Sequence, residues 1–407
     1  MVKLSDRARR IAPSATMAVD AKAKEMQRSG IDVVSFGAGE PDFPTPAHVK
    51  EAGSAAIAAN ITKYTPIGGI PELREAIATR LREDEGLDYR PEDIIVGNGA
   101  KEICYDLCQV LLQAGDEAVI PAPYWVSYSE QVLLADARPV IVPTTEESGF
   151  KVSPAQLEDA ITDRTRLVFL NSPCNPTGAT YTADELVALG AVLARHPDIV
   201  LLSDEIYKKI AYTPEGRAPS AGAVLRDLTD QVVLVDGASK AYAMTGWRVG
   251  FAAGPRALIA AMRGLQSHST SGTASISQKA AVAAFAGDQV PVESMRREFQ
   301  RRRDAIVAAL NAVPGVRCAT PDGAFYAFPN VQGALGQSYD GRTIGTSLDL
   351  AAYLLESANV GLVPGEAFGA PGYLRLSYAT SMERVDEGMR RIAAAMTPVA
   401  EGVGARG

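Results

Sequence analysis

The sequence predicts an α/β domain built on a mostly parallel sheet flanked by helices, joined to a smaller α+β domain. Three observations lead there. Short β-rich runs alternate with helical patterns through the middle of the chain. Most of those runs are continuously apolar, the mark of strands covered on both faces. After about residue 290 the alternation stops, and a long helix is followed by scattered short runs. The length of 407 residues leaves room for both domains.

The N-terminal stretch is rich in proline and glycine near Gly37–Pro46 and is expected to pack with the smaller domain. The domains therefore read as 50–290 for the large one and 1–49 with 291–407 for the small one. Pro71 opens a helix over Glu72–Glu85, which Gly86 ends. The candidate strands are Asp93–Val96, Glu117–Pro121, Pro139–Pro143, Leu167–Leu170, Ile199–Ser203, Val232–Asp236 and Val249–Ala252. Ser153-Pro154 supplies a helix cap and a first-turn proline, and Thr182 with Glu185 forms a capping box ahead of Leu186. The smaller domain reads as a long helix Arg296–Val313, a short run Ala324–Pro329, a helix around Leu348–Ala358, a run Leu374–Tyr378 and a final helix. The Gly-Ala-rich tail after Pro398 is expected to fray.

Composition excludes several classes. The net charge of −8 and the lack of a basic block argue against nucleic acid as a partner, and Arg301-Arg302-Arg303 sits in a helical pattern as a solvated or interface face. No apolar run is long enough to span a bilayer, and no secretory signal is present. Cys104, Cys108, Cys174 and Cys318 form no CxxC pair, which points to a reducing cytoplasm. His48, His196 and His268 have no metal-ligand spacing, so no metal is expected.

The chemistry gathers behind the strands. Ser203-Asp204-Glu205-Ile206-Tyr207, Gly237-Ala238-Ser239-Lys240 and Gly246-Trp247-Arg248-Val249-Gly250 set an acid, a phenol, an amine and a guanidinium at the ends of apolar runs. Ligands of open α/β sheets bind beyond the carboxyl ends of the strands, where Asp204, Asn175, Lys240 and Tyr124-Trp125 converge. This set suits pyridoxal phosphate (PLP). Lys240 can form an imine with its aldehyde. Asp204 can pair with the pyridinium nitrogen, although Asp after a strand also serves as a helix cap. Tyr207 and Asn175, the latter held between prolines in Asn171–Gly178, can bond the ring oxygen. Arg248 matches a phosphate with its planar fork, and Ser239 adds a hydroxyl. Gly97-Asn98-Gly99-Ala100-Lys101 brings backbone N–H groups at a helix start to face an anion, though Glu102 stands where a dinucleotide loop has its third glycine. Trp125 offers a stacking face or fills the core. Arg375, at the end of a short strand, can bind an α-carboxylate in bidentate fashion.

Taken together, these residues resemble the class I aminotransferases of PLP fold type I, and most closely the bacterial aspartate aminotransferases of subgroup Ib. The similarity runs nearly the whole chain. It includes Pro13-Ser14-Ala15-Thr16, Gly39-Glu40-Pro41-Asp42, Lys63-Tyr64, Gly69–Arg74, Pro123–Tyr128, Asn175-Pro176-Thr177-Gly178, Ser203–Tyr207, Ser239-Lys240, Met244–Gly250, Gly323–Tyr326 and Arg375–Tyr378. The resemblance implies a homodimer with shared active sites, in which Tyr64 reaches the partner subunit's cofactor phosphate. It implies that Gly39 and Arg375 contact substrate, that Lys240 shuttles the proton, and that Lys101 reads a side-chain carboxylate. Two departures are visible. Ala12 stands where subgroup members that accept prephenate carry lysine, and Cys174 replaces the usual Asn or Ser, either as an oxidisable thiol or as a small packed residue.

The expectation is a PLP-dependent aminotransferase passing the amino group of L-aspartate to 2-oxoglutarate by a ping-pong cycle. The alternatives are transfer involving aromatic amino acids or prephenate, or β-elimination, on the same scaffold. A transcription-regulator module would need a fused DNA-binding segment, and the chain begins almost directly with the Pro-Ser-Ala-Thr block. A nicotinamide-dependent dehydrogenase is disfavoured by the incomplete glycine loop.

Overall fold

The computed structural model describes residues 2–11 and 15–397. Ala12, the first two residues of the Pro-Ser-Ala-Thr block, and the tail from Pro398 lie outside the described residues. The chain forms two compact units. One comprises the described residues of Met1–Ala12, Glu40–Glu298 and Asp322–Ala324; the other comprises those of Pro13–Gly39, Phe299–Pro321 and Phe325–Gly407.

The first unit carries a seven-stranded sheet. Its strands are β1 (Ile94–Gly97), β2 (Glu117–Ala122), β3 (Arg138–Pro143), β4 (Thr165–Asn171), β5 (Val200–Asp204), β6 (Val232–Gly237) and β7 (Gly250–Ala253), in the spatial order β1-β7-β6-β5-β4-β2-β3. All neighbours are parallel except at β7, which runs antiparallel to both β1 and β6. Alternate residues feed two separate apolar layers. Ile94, Val96, Val119, Val168 and Leu170 join the layer holding Leu73, Ile77 and Leu186. Ile95, Ile120, Phe169 and Leu202 join the other, with Ile103, Leu107 and Met262. Both faces are dry, which is why the strands read as unbroken apolar runs. The edge strand β3 is the exception, with Ile141 39% exposed.

Helix starts follow their local signals. Ser153 and Thr182 accept the third-position N–H groups of Pro154–Ala160 and Ala183–Leu193, and Gln156 and Glu185 reach back to complete both capping boxes. Pro71 begins the helix Pro71–Glu85, and Gly86 closes it at φ +65°.

The second unit is built on small ladders. A three-stranded antiparallel sheet has Leu374–Ser377 between Val363–Pro364 and Tyr326–Ala327. Val34–Ser35 pairs in parallel with Val360–Gly361. The helices Ser347–Ala358 and Met382–Ala395 complete it, the latter pressing Gly388 within 2.4 Å of Phe36 for any Cβ placed there.

The domain boundaries differ from the expected ones. The division near residue 50 falls at 39/40, because Thr45 Oγ1 donates to Ala243 O at 2.7 Å and Thr245 Oγ1 donates to Glu40 Oε2 at 2.7 Å. Residues 2–11 group with the large unit, where Arg7 and Arg10 both pair with Asp136. Residues 322–324 do so through N–H bonds from Gly323 to Gly178 O and from Ala324 to Ile210 O. The long helix is Val290–Asn311, starting six residues before the expected Arg296, with Asp288 Oδ1 accepting from Val290 N. The second division falls within it, at 298/299.

Gly250 is the tightest point of the sheet edge. A Cβ there would lie 2.2 Å from Ala100 N and 2.4 Å from Gly99 C. Gly250→Ala is expected to cost about 1–3 kcal/mol of stability through overpacking, read from urea denaturation of the purified protein.

Candidate active site

Six strands end at one edge of the sheet, and Asp204, Lys240, Asn175, Trp125 and the Gly97–Lys101 loop lie at or just after those ends. Asp204 closes β5, directly paired with Asn171 at the end of β4. Its carboxylate is 3% exposed. Tyr128 Oη donates to Oδ2 at 2.6 Å, and the Ile206 N–H donates to Oδ1 at 3.2 Å. Burial pushes this acid up to about 6; the Tyr128 and Ile206 bonds pull against that rise, Glu205 adds to it, and Lys240 opposes it. Tyr128 was not singled out from the sequence as a site residue. It lies 76 residues from Asp204 along the chain, and only the fold joins them.

Lys240 follows β6 through Ala238 and the buried Ser239, and its Nζ lies 5.9 Å from the Tyr207 ring centroid. Ala238 N–H bonds Val249 O, and the Met244 N–H bonds Ser239 O, so the turn carrying the lysine is closed on itself. Tyr207, 4% exposed, sits three residues beyond Asp204. Asn175 is also buried, and its backbone N–H donates to Asn171 Oδ1, while Asn171 Nδ2 donates to Asp204 O. The Asn171–Gly178 stretch is thereby tied to the strand end bearing the acid. Cys174 lies within it, its thiol pushed up to about 11 by burial. Its Sγ donates to Pro123 O at 3.7 Å, and a raised pKa lowers the thiolate fraction on which reactivity depends.

The anion cradle is formed at β1. Gly97 ends that strand, Gly99 adopts φ +87°, and the helix Ala100–Leu111 begins. Its first-turn N–H groups have no carbonyl partner within the helix. Glu102, which spoils the glycine fingerprint, accepts the Asn98 N–H and so braces the loop. Arg248 is at φ +57° and arrives from the amino end of antiparallel β7. Its Nη1 donates to Thr245 O and its Nη2 to Asn98 O, both at 3.0 Å, laying the guanidinium against Gly99. A cleft of ≈ 450 Å³ opens here, with Asn98, Lys101, Ser127, Arg248, Ser269 and Thr270 among its walls.

Lys101 is exposed as a residue, but its Nζ stands 4.9 Å over the Trp125 ring, which in turn packs edge-on against Tyr128 at 5.3 Å. Partial burial of the amine, and then the Arg248 charge, lower its pKa. Tyr64 is 98% exposed. In the second unit, Arg375 is 2% exposed. Tyr326 and Phe368 flank its guanidinium at 4.6 and 5.0 Å, and Nη2 donates to Gly37 O at 2.8 Å. Gly39 of that unit leaves room for only 3.1 Å between a Cβ and Tyr326 Oη.

The chain matches the family model for aminotransferase class I and II over residues 31–392. It is 49% identical to an aspartate aminotransferase of Geobacillus stearothermophilus, across 96% of this chain and 98% of that one. This chain belongs to the class I aminotransferases. It is 45% identical to an aspartate/prephenate aminotransferase of Nitrosomonas europaea, across 97% of this chain and all of that one. The crystal structure of the Rhizobium meliloti aspartate aminotransferase matches with a TM-score of 0.94 at 45% identity, covering 97% of this chain and 99% of that one. The fold is PLP fold type I, and the aminotransferase is PLP-dependent. No helix among the described residues is long and apolar enough to cross a membrane.

The residues present fit that cofactor. A buried carboxylate whose ionisation burial opposes is suited to a cationic ring nitrogen, which would stabilise its charge. At Gly99 and Gly250 a Cβ would collide with Arg248 or with the helix start, so bare backbone and a guanidinium meet, as the close approach of a phosphate would require.

Raising the acid from 3.8 to about 6 means that the folded protein binds that proton more tightly than the unfolded chain. The resulting stability is full below pH ~4 and is lost as pH rises through ~6, an effect on the order of 3 kcal/mol. In the cofactor-free enzyme, Asp204→Asn should flatten this part of the stability–pH curve, measured by urea denaturation between pH 4 and 7.5.

Proposed function

We propose that this aminotransferase moves the amino group of L-aspartate to 2-oxoglutarate, giving oxaloacetate and L-glutamate in two ping-pong half-reactions. The observation that carries the substrate class is Lys101, an amine held over Trp125 beside the anion cradle. A cation there attracts a second carboxylate and gives nothing to an apolar side chain. The relatives named aspartate aminotransferase support the same class.

PLP, when bound, supplies an aldehyde that takes up the amino group and a ring that draws electrons from the substrate α-carbon. The other roles belong to the chain. Asp204 accepts the ring N–H and keeps it protonated. Tyr207 and Asn175 bond the ring oxygen, and Trp125 provides a stacking face. Arg248, Ser239 and the first-turn N–H groups of Ala100 and Lys101 take the phosphate. Lys240 tethers the cofactor and then, as a free amine, accepts the α-proton of the substrate at Nζ. Gly39 and Asn175 contact substrate, and Arg375 anchors the α-carboxylate; a buried guanidinium between two aromatic rings is a desolvated, fixed donor pair for that purpose.

The reading includes a homodimer with shared active sites. Its support is Tyr64, an aromatic ring 98% exposed in the single chain, which on this reading serves a partner's phosphate. It also includes the cytoplasm as the working compartment, since no disulfide joins the four cysteines. Prephenate as acceptor is a second reading, favoured by the name of the Nitrosomonas relative. Ala12, where a lysine accompanies that activity, weighs against it.

Lys101→Ala is expected to lower kcat/KM for aspartate by about 30-fold or more while leaving phenylalanine within a few-fold, because only the dicarboxylate loses a charge-assisted bond. Turnover of both substrates in the original ratio would overturn the assignment. Borohydride reduction of the holoenzyme followed by peptide mapping should place a pyridoxyl adduct on Lys240 alone.

A further inference from the structure

Asp204 and Tyr207 serve the proposed site, and the group that binds their turn to the rest of the unit, Glu205, lies between them. Glu205 is 1% exposed and its carboxylate is fully engaged. Oε1 accepts from Ser203 Oγ at 3.1 Å, Ser220 Oγ at 3.0 Å and Ala221 N at 2.9 Å. Oε2 accepts from Lys208 Nζ at 3.0 Å. Lys208, 3% exposed, lies a further 3.6 Å from Glu85 Oε1 and 3.8 Å from Asp236 Oδ2. Its own backbone closes the turn, with its N–H on Glu205 O and its carbonyl accepting from Ala218 N.

We propose that Lys208 is a positioning residue for the reaction: its charge cancels that of Glu205 and so keeps the neighbouring Asp204 ionised and aimed at the cofactor ring. The inference rests on the role given to Asp204 above. It deepens that role by asking what keeps a buried acid charged.

The charge count favours it. One buried ammonium faces three carboxylates, on the helix Pro71–Glu85, on the turn after β5, and on β6. Burial works against the Lys208 charge, yet Glu205, Asp236 and Glu85 together outweigh it and hold the amine protonated. Burial raises Glu85 and pushes Asp236 up to about 7, so the cluster has no spare positive charge. Beyond it, Lys209 is committed to Asp84 at 2.6 Å. Asp204 itself faces Tyr128, Cys104, Cys174, Lys240 and Glu205. Among these, Glu205 is the one carboxylate and Lys240 the one cation, and Lys240 is the group proposed to leave its resting place during turnover. Lys208 has no such duty. A cluster of this kind serving stability alone is replaceable by apolar residues of similar volume. One that sets the ionisation of a neighbour is not.

The test follows the Asp204 carboxyl by 13C NMR in cofactor-free enzyme labelled with carboxyl-13C aspartate, assigned with Asp204→Asn, alongside the kcat/KM–pH profile of the holoenzyme. Lys208→Met should raise the Asp204 midpoint by about one pH unit or more, and Lys208→Arg should restore it. Glu205→Gln should move it down. The acidic limb of the kcat/KM profile should shift in the same direction as each midpoint. A midpoint unmoved in folded Lys208→Met, or in folded Glu205→Gln should the first not fold, overturns the proposal and leaves Lys208 a structural residue. Asp204→Asn separates the two levels. Wild-type turnover in that variant would refute the site itself, whereas loss of turnover in Asp204→Asn together with an unmoved Asp204 midpoint in folded Lys208→Met refutes only the part played by Lys208.

Discussion

The site depends on three glycines in register at one edge of the sheet. Gly97 of β1, Gly250 of β7 and Gly237 of β6 lie side by side across adjacent strands. None has a side chain, so the start of the helix Ala100–Leu111 can rest against Gly250. That contact sets where the first-turn N–H groups stand. It also sets where Arg248 stands, because β7 runs against its neighbours and presents its amino end at the edge where the other six strands present their carboxyl ends. A fully parallel sheet would send a residue in the place of Arg248 to the opposite edge. The single reversed strand is what lets a guanidinium meet a helix start over bare backbone.

The sheet was legible in the sequence because its cause is local. Strands covered on both faces need unbroken apolar runs, and all seven runs singled out became strands of one sheet. The capping boxes at Ser153 and Thr182 were legible for the same reason, since cap and acceptor are three residues apart. The unit boundaries were not. They are decided by bonds such as Thr45 to Ala243, which join segments nearly 200 residues apart and leave no periodic trace in composition. The start of the helix Val290–Asn311 was missed because Asp288 caps through a proline-containing first turn, where the apolar pattern has not yet begun.

The candidate site divides along the same line. Asp204, Lys240, Asn175 and the Gly97–Lys101 loop could be named because each directly follows a strand, and the strand ends of such a sheet share one edge. Tyr128 could not be assigned to Asp204, nor Lys208 to Glu85 and Asp236, because those pairings arise only from folding. Arg375 shows the limit from the other side. As a single arginine in a short run it carries no burial signal, and its enclosure is supplied by Tyr326 and Phe368 from separate segments.

Electrostatics link these layers. Tyr128 and the Ile206 N–H are arranged to hold Asp204 as an anion, yet burial keeps its pKa near 6. An acid in that condition is balanced: a modest positive charge beside it ionises it fully, and a modest negative one neutralises it. A protonated ring nitrogen would supply the first, so that the acid and its ligand each favour the charged form of the other. The fold has already opposed the second by engaging every oxygen of Glu205. The acid is therefore not strong by itself. In the role proposed for it, its strength would come with the cation it receives, and holding the cofactor and activating it would be a single electrostatic event.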